Sequence, residues 1–307
     1  MMDNKIIDMA KEFLDDNEIK VDELLSKHTT YKIGGSCDLF LMPSTNEKVQ
    51  KCIKLAKDNN IDYFVLGRGS NVLASDDGFR GIIINLASNF SNIEVEGEYL
   101  TAQAGASIIA ASSRAQKSGL TGLEFVCGVP GTVGGAVAMN AGCYGGEMSD
   151  VLVSCTILDD KNEIVTLTKD ELDMSYRHSI FEDKPYVMLE AKIKLQPGDS
   201  EQIKARMTEL NERRKKVQPL EYPNAGSVFK RPNIENCYPG QLIEEAGFKG
   251  YKVGGAEVST MHANFIVNNG DAKASDVYNI ICEIQKKVKE MSDVELECEQ
   301  RFIGKFE

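Results

Sequence analysis

The run from Gly128 to Gly142, GVPGTVGGAVAMNAG, constrains this chain more than any other stretch, because it carries five glycines and no charged side chain. A segment stripped of side chains in this way lets backbone approach a large flat or phosphorylated group closely, with successive N–H groups as its polar contacts. Its bland alternative is a buried Gly/Ala packing segment. An earlier loop, Leu66-Gly67-Arg68-Gly69-Ser70-Asn71-Val72-Leu73, follows an apolar run and has the same capacity in weaker form. It is not the dinucleotide fingerprint, since Val72 stands where a third glycine belongs, and no Gly-Lys-Ser/Thr follows to make a P-loop. By itself it reads equally well as a tight turn between strands.

A chain of 307 residues exceeds one ordinary domain, so two are expected. The formal charge of -12, with basic residues dispersed except for Arg213-Arg214-Lys215-Lys216, argues against nucleic acid as a partner. A small anion in a local pocket remains compatible with that charge. Eight cysteines without a C-x-x-C pair, and three scattered histidines, His28, His178 and His262, give no zinc-ligand pattern, so no metal is assigned. The first residues lack the apolar run of a signal peptide and no window suffices to cross a bilayer. A reducing, cytoplasmic setting without membrane contact is the expectation, with a monomer as the working state.

Periodicity supplies the elements. Ile6, Met9, Ala10, Phe13 and Leu14 predict a first helix, and Ser44-Thr45-Asn46-Glu47 predicts a capping box ahead of a helix through Val49, Ile53 and Ala56 that breaks at Asn59-Asn60. Tyr63–Leu66, Ile82–Ile84 and Tyr99–Ala102 read as strands, 107–118 as a helix ending at Gly119, and 151–168 as β-rich. Val187, Leu189, Ala191, Ile193 and Leu195 alternate as in a half-buried strand, punctuated by Pro197-Gly198. A helix from Asp199 or Ser200 runs to Pro219, a strand covers Ala263–Val267, and a helix covers Ser275–Met291. The chain reads as α+β with a boundary at 197, giving domains 1–197 and 198–307.

Both glycine loops, together with His28–Gly35, Ser175-Tyr176-Arg177, Asn224-Ala225-Gly226-Ser227-Val228-Phe229-Lys230 and Leu296–Arg301, stand in the order found in the UDP-N-acetylenolpyruvoylglucosamine reductases. The chain resembles that family nearly end to end, in the shorter subclass without an extra tyrosine-bearing substrate loop. The resemblance implies an FAD-binding domain of the vanillyl-alcohol-oxidase (PCMH) type, with its core at about 33–197, and a C-terminal α+β substrate lobe. It implies non-covalent FAD held by Gly67, Arg68, Gly69, Ser70 and Asn71 and by Gly128, Pro130, Gly131, Thr132, Gly134, Gly135, Asn140, Ala141 and Gly142. It also implies NADPH as co-substrate and reduction of UDP-N-acetylglucosamine enolpyruvate to UDP-N-acetylmuramate for peptidoglycan synthesis.

The same resemblance assigns roles. Hydride delivered to the enolpyruvyl methylene leaves negative charge that spreads into the carboxylate, and Arg177, a permanent planar cation, matches the family residue that stabilises it. Ser227 matches the proton donor. Glu299 matches the catalytic carboxylate, with Glu297 as its near competitor, and Cys298 and Gln300 stand where the family usually has Pro and Val. Tyr176, Asn224, Gly226, Lys230, His262 and Asn264 join Arg177 as candidate substrate contacts, and Lys230 with Arg231 could meet a diphosphate or carboxylate. Read without the family, Ser227 is a turn hydroxyl, Arg177 a surface ion-pair partner and Glu299 a solvated charge. Two further readings share the loops: a flavin oxidase or dehydrogenase of alcohols or sugars, with Cys127 or Cys143 as attachment points, and a non-catalytic nucleotide-sugar binder.

Overall fold

Asp3 begins the first helix, Asn4–Lys11 (α1), by accepting a hydrogen bond from Lys5 N at 2.9 Å, in a computed structural model that describes residues 2–306. Ile6 and Ala10 carry its buried face, while Phe13 and Leu14, expected on the same helix, lie past its end. The next helix, Asn46–Asp58 (α2), is capped by Thr45, one residue later than the capping box predicts: Thr45 Oγ1 accepts from Lys48 N. Ser107 caps Ile108–Lys117 (α3), and Gly119 at φ +67° ends that turn. Three more follow: Val133–Ala138 (α4), Met148–Val151 (α5) and Ser200–Val217 (α6). Among these, α4 was read from sequence as loop.

The described residues pack as two units, one formed by 1–21, 39–68 and 81–214, the other by 22–38, 69–80 and 215–307. This division falls inside α6 and takes two early segments into the second unit, so it does not follow the single expected boundary at 197. In the first unit a five-stranded antiparallel sheet runs in the order Ile164–Thr168, Leu152–Leu158, Val187–Lys194, Tyr99–Gln103, Ile93–Glu96. Its central strand is buried at Leu189, Ala191 and Ile193 and exposed at Lys192 and Lys194, as the alternation predicts. Tyr63–Leu66 pairs in parallel with Ile82–Asn85, and the core joins both layers through Ile82, Ile84, Leu100, Ala102, Val133 and Val137.

The second unit holds Pro239–Glu245 (α7), Ala274–Ser292 (α8) and a three-stranded antiparallel sheet of Lys252–Val253, Ala256–Val258 and Ile266–Asn268. Ala263–Phe265, predicted as the start of a strand, is instead a turn leading into Ile266. On α8, Val277, Ile280, Ile281, Ile284 and Val288 are buried at the spacing of one helical face, each contributing about 1.5–3 kcal/mol of transfer free energy. Val72–Ala74 pairs in parallel with Arg301–Ile303, joining segments far apart in sequence. Asp76 belongs to the same unit and accepts from Ala274 N at 2.7 Å, Ser275 N at 3.0 Å and Ser275 Oγ at 2.9 Å, placing a carboxylate at the positive end of α8. Asp76→Ala is expected to cost about 1–2 kcal/mol, read as a roughly 5–30-fold rise in amide exchange across the first turn of α8. Unchanged exchange there would show that water replaces the carboxylate.

Candidate active site

In the first unit the charge-free run is held by backbone. Gly131 O accepts from Ile108 N, Val133 N donates to Ala106 O, and Gly134 N donates to Ala104 O at 2.8 Å. A Cβ on Gly134 would stand 3.0 Å from both Ala104 Cβ and Ala104 O, so any larger residue would have to push that neighbour aside by a few tenths of an ångström. Thr132 caps α4 by accepting from Gly135 N at 3.2 Å, and a Cβ on Gly67 would come 2.6 Å from Thr132 Oγ1. Gly67 and Thr132, one from each glycine loop, are thus neighbours. The run ends in a hairpin, Gly142–Cys143 paired with Gly146–Glu147, whose tip residues Tyr144 and Gly145 both have positive φ, as a two-residue hairpin turn demands.

Arg177 is carried by a turn in which Ser175 N donates to His178 O and His178 N to Ser175 O. The turn is fastened to the glycine run at three points: Asn140 Nδ2 donates to Ser175 O at 3.0 Å, Ser179 Oγ to Ala138 O at 2.6 Å, and Arg177 Nη2 to Gly142 O at 3.1 Å. Arg177 itself sits at φ +53°, a backbone state that costs a non-glycine residue about 1 kcal/mol or more. Its guanidinium stands 5.3 Å from the ring centroid of Tyr176, which is half exposed. The Asn140 amide is buried, and its Oδ1 also accepts from Ser149 N, so the side chain of this expected cofactor residue fastens the Arg177 turn.

In the second unit, Val228–Lys230 is held on both sides. Glu299 N donates to Val228 O and Lys230 N to Glu297 O, while Asn264 Nδ2 donates to Phe229 O and Asn264 Oδ1 accepts from Phe229 N. Asn71 Nδ2 donates to Glu299 O, so Gly69–Asn71 of the first loop lies beside this ladder, and Gly69 O accepts from Thr30 N. Ser227 follows Gly226 at φ +77°, whose N–H is taken by Asn224 Oδ1. The Ser227 hydroxyl is half-buried and meets no hydrogen-bond partner among the described residues. Lys230 Nζ is 2.6 Å from Glu297 Oε1, and Glu297 is 71% exposed; the competitor carboxylate is neutralised and outward, which favours Glu299.

Three expected substrate contacts also make internal hydrogen bonds. Asn224 Nδ2 is spent on Tyr222 O and Pro219 O, and Asn264 is buried against Phe229, so both shape the segment around Ser227. His262 Nδ1 accepts from Asn264 N at 3.2 Å, and burial pushes its pKa below the usual histidine value, leaving a neutral ring that carries its proton on Nε2. Histidine scarcity excluded a metal on sequence grounds; the fold nonetheless gathers Asp173, His178 and Asp183, with His178 Nε2 3.8 and 3.4 Å from the two carboxylates. Both aspartates are exposed, and the arrangement is that of surface ion pairs. Sequence reading also passed over Arg213 and Arg214 as site residues. The Arg213 guanidinium lies 5.3 Å from the centroid of the Tyr144 ring, and Arg214 Nε is buried without a partner. Their one signal was the basic run itself.

Comparison with known proteins agrees with this geometry. Residues 37–168 match the family described as FAD binding domain, and residues 218–303 match UDP-N-acetylenolpyruvoylglucosamine reductase, C-terminal domain. The UDP-N-acetylenolpyruvoylglucosamine reductase of Clostridium novyi is 47% identical, covering 95% of this chain and 94% of its own. That of Caldanaerobacter subterraneus subsp. tengcongensis is 45% identical, covering 97% and 98%. The crystal structure of the Thermus caldophilus UDP-N-acetylenolpyruvylglucosamine reductase superposes with a TM-score of 0.79 at 34% identity, over 93% of this chain and all of that one. A pollen glucose dehydrogenase, Phl p 4.0202, shares 64% of the chain at TM-score 0.51 and 11% identity, which shows the FAD-binding fold alone. FAD fits the residues present: an uncharged cradle in which an added Cβ at Gly134 or Gly67 would crowd Ala104 or Thr132, and a buried guanidinium nitrogen, Arg214 Nε, that lacks an acceptor. No helix among the described residues is long and apolar enough to cross a membrane.

Asn264→Leu tests whether this residue shapes the site or touches substrate. It leaves the Phe229 N–H and C=O without partners, and the second unit should lose about 2–4 kcal/mol by urea unfolding. A variant of normal stability whose defect lay wholly in KM would restore Asn264 as a substrate contact.

Proposed function

The chain belongs to the UDP-N-acetylenolpyruvoylglucosamine reductases, FAD-binding oxidoreductases of peptidoglycan synthesis, and we propose that it reduces UDP-N-acetylglucosamine enolpyruvate to UDP-N-acetylmuramate with NADPH as donor, in the cytoplasm. We assign cofactor binding to 1–197 and substrate binding to 198–307; the family matches at 37–168 and 218–303 support that division. When bound, FAD supplies the means to accept a hydride and pass it on. The observation that carries the reading is Arg177. A non-glycine residue held at positive φ by a turn with three fastenings is backbone strain kept in place by its surroundings, as at sites that must hold one side chain still.

Arg177 binds the enolpyruvyl carboxylate and stabilises the charge that develops there as hydride arrives. A guanidinium does this without proton bookkeeping, and its fork fits two carboxylate oxygens. Ser227 gives its proton to the adjacent carbon. A hydroxyl is a weak acid, so its contribution depends on aim, and Gly226 with Asn224 fixes the backbone just ahead of it. Glu299, tied through its backbone to Val228 and Asn71, orients substrate or assists that proton. Lys230, already paired with Glu297, offers its charge to the diphosphate.

Stopped-flow absorbance at the flavin band separates these roles. Ser227→Ala should leave reduction by NADPH at the normal rate and slow reoxidation by the enolpyruvyl substrate about 10²–10⁴-fold. Equal slowing of both half-reactions would remove Ser227 as proton donor. Arg177→Lys, which keeps charge and loses the planar fork, should lower substrate turnover by about 10²-fold; near-normal turnover would sink the enolate role.

A further inference from the structure

One face of α8 lies along the segment that carries Glu299. Tyr278, Cys282 and Gln285 stand at i, i+4 and i+7 of that helix, the spacing of a single helical face. At one end of this face Gln285 Nε2 donates to Leu296 O at 2.8 Å. At the other, the Tyr278 ring meets those of Phe302 and Phe306, with centroids 5.6 and 5.2 Å apart. The segment from 296 to 306 therefore runs along the helix against its direction. Three residues of helix cover about 4.5 Å and two of extended chain about 6.6 Å, which sets Cys282 opposite Cys298. Cys282 acts on Tyr278 through its charge and a side-chain hydrogen bond, and its charge bears on Cys298 as well. Neither cysteine is in a disulfide; Cys282 is exposed, whereas Cys298 is half-buried and its Sγ donates to Gln300 O at 3.7 Å. Burial pushes the Cys298 thiol up to about 11, so it stays protonated at neutral pH.

We propose that Cys282 and Cys298 are a modification site at which a small-molecule disulfide converts the two thiols into a reversible disulfide, fastening the Glu299 segment to α8 and lowering turnover. The exposed Cys282 reacts first. Its sulfur attacks one sulfur of the small disulfide, the S–S bond there breaks, and the departing thiol leaves with the proton that Cys282 loses. Cys298 then attacks Cys282, forming the Cys282–Cys298 bond and releasing the second small thiol with the Cys298 proton. The protein gives up two electrons and two protons, and the small disulfide takes up both. This order follows burial: an enclosed, protonated thiol is slow toward a reagent from solvent but well placed for a sulfur held beside it. In a reducing compartment such a bond is transient, which suits a sensing role. Side chains alternate along an extended segment, so Cys298 faces α8 while Glu297 and Glu299 face away from it. The Cys298 backbone stands opposite Phe229, in the ladder where Glu299 N donates to Val228 O and Lys230 N to Glu297 O. A disulfide holds its Cα atoms about 4.4–6.8 Å apart, so closing it fixes the segment to α8 and displaces the ladder beside Ser227. The effect on turnover rests on the roles proposed for Ser227 and Glu299; the bond itself does not.

The test begins with the FAD-loaded protein incubated with oxidised glutathione and digested without reductant. Peptide mapping should find Cys282 joined to Cys298, and dithiothreitol should separate them. With the bond formed, turnover of the enolpyruvyl substrate should fall about 10²-fold, as for a misplacement of about 1 Å, and dithiothreitol should restore it. C282S should turn over normally before oxidation and keep its activity afterwards. A glutathione adduct left on Cys282 with no Cys282–Cys298 peptide would overturn the proposal, as would unchanged turnover in the bonded protein or activity lost equally in C282S. Mapping needs no substrate, so the two readings fail separately: absence of the link defeats this proposal, whereas reduced protein inert toward the enolpyruvyl substrate defeats the reading of the site and leaves the link to decide here.

Discussion

The hydrogen bond from Gly134 N to Ala104 O, made where an added Cβ would crowd Ala104, is the contact on which the first unit's site depends. It brings α4 against the segment after Tyr99–Gln103, a strand of the five-stranded sheet, so that a run of small residues acquires the rigidity of the sheet. Everything that matters chemically in this unit is then hung from the far side of that run. Asn140 and Ala138 hold the turn carrying Arg177, and Gly142 O holds the guanidinium itself.

The second unit solves a similar problem with side-chain amides. Asn264 gives the Phe229 backbone both partners that a neighbouring strand would have supplied, and Asn71 does part of the same for Glu299. Both candidate groups, Ser227 and Glu299, therefore lie beside backbone that is hydrogen-bonded from two directions. Tyr31 and Gln300 extend this arrangement inward: the Gln300 amide lies 3.3–3.4 Å from the Tyr31 hydroxyl, and both residues are buried. A buried amide such as Gln300 needs a partner, and Tyr31 is one.

Legibility followed the range of the forces involved. The long helix α8 and the strand Val187–Lys194 were readable because one buried face repeats at a fixed period, and α3 because Ser107 and Gly119 mark its ends. α4 was hidden by its own glycines, which weigh against helix until the Thr132 cap and the Ala104 contact are known. Ala263–Phe265 has strand-like composition, but Asn264 turns its side chain to Phe229 and breaks the extended run. The transfer of Asp22–Asp38 and Gly69–Arg80 into the second unit rests on pairing such as Val72–Ala74 with Arg301–Ile303, for which local sequence carries no signal. The catalytic candidates were legible only as members of an ordered set of motifs, whereas the amides of Asn140, Asn224 and Asn264 looked like ligand contacts because a polar residue inside a motif does not reveal what it is bonded to.

Charge placement connects these observations. Several lysines, including Lys51, Lys54, Lys249 and Lys289, meet carboxylates at the surface, where such pairs contribute little to stability. The arginines around Gly142–Tyr144 are treated differently: Arg213 is set against an aromatic ring, Arg214 is half-buried with its Nε enclosed, and Arg177 is held at positive φ. Of these, Arg214 Nε has no acceptor among the described residues, next to a run that carries no charged side chain. A buried guanidinium nitrogen without an acceptor is costly for a protein by itself, and an acceptor that arrives with a ligand offsets that cost.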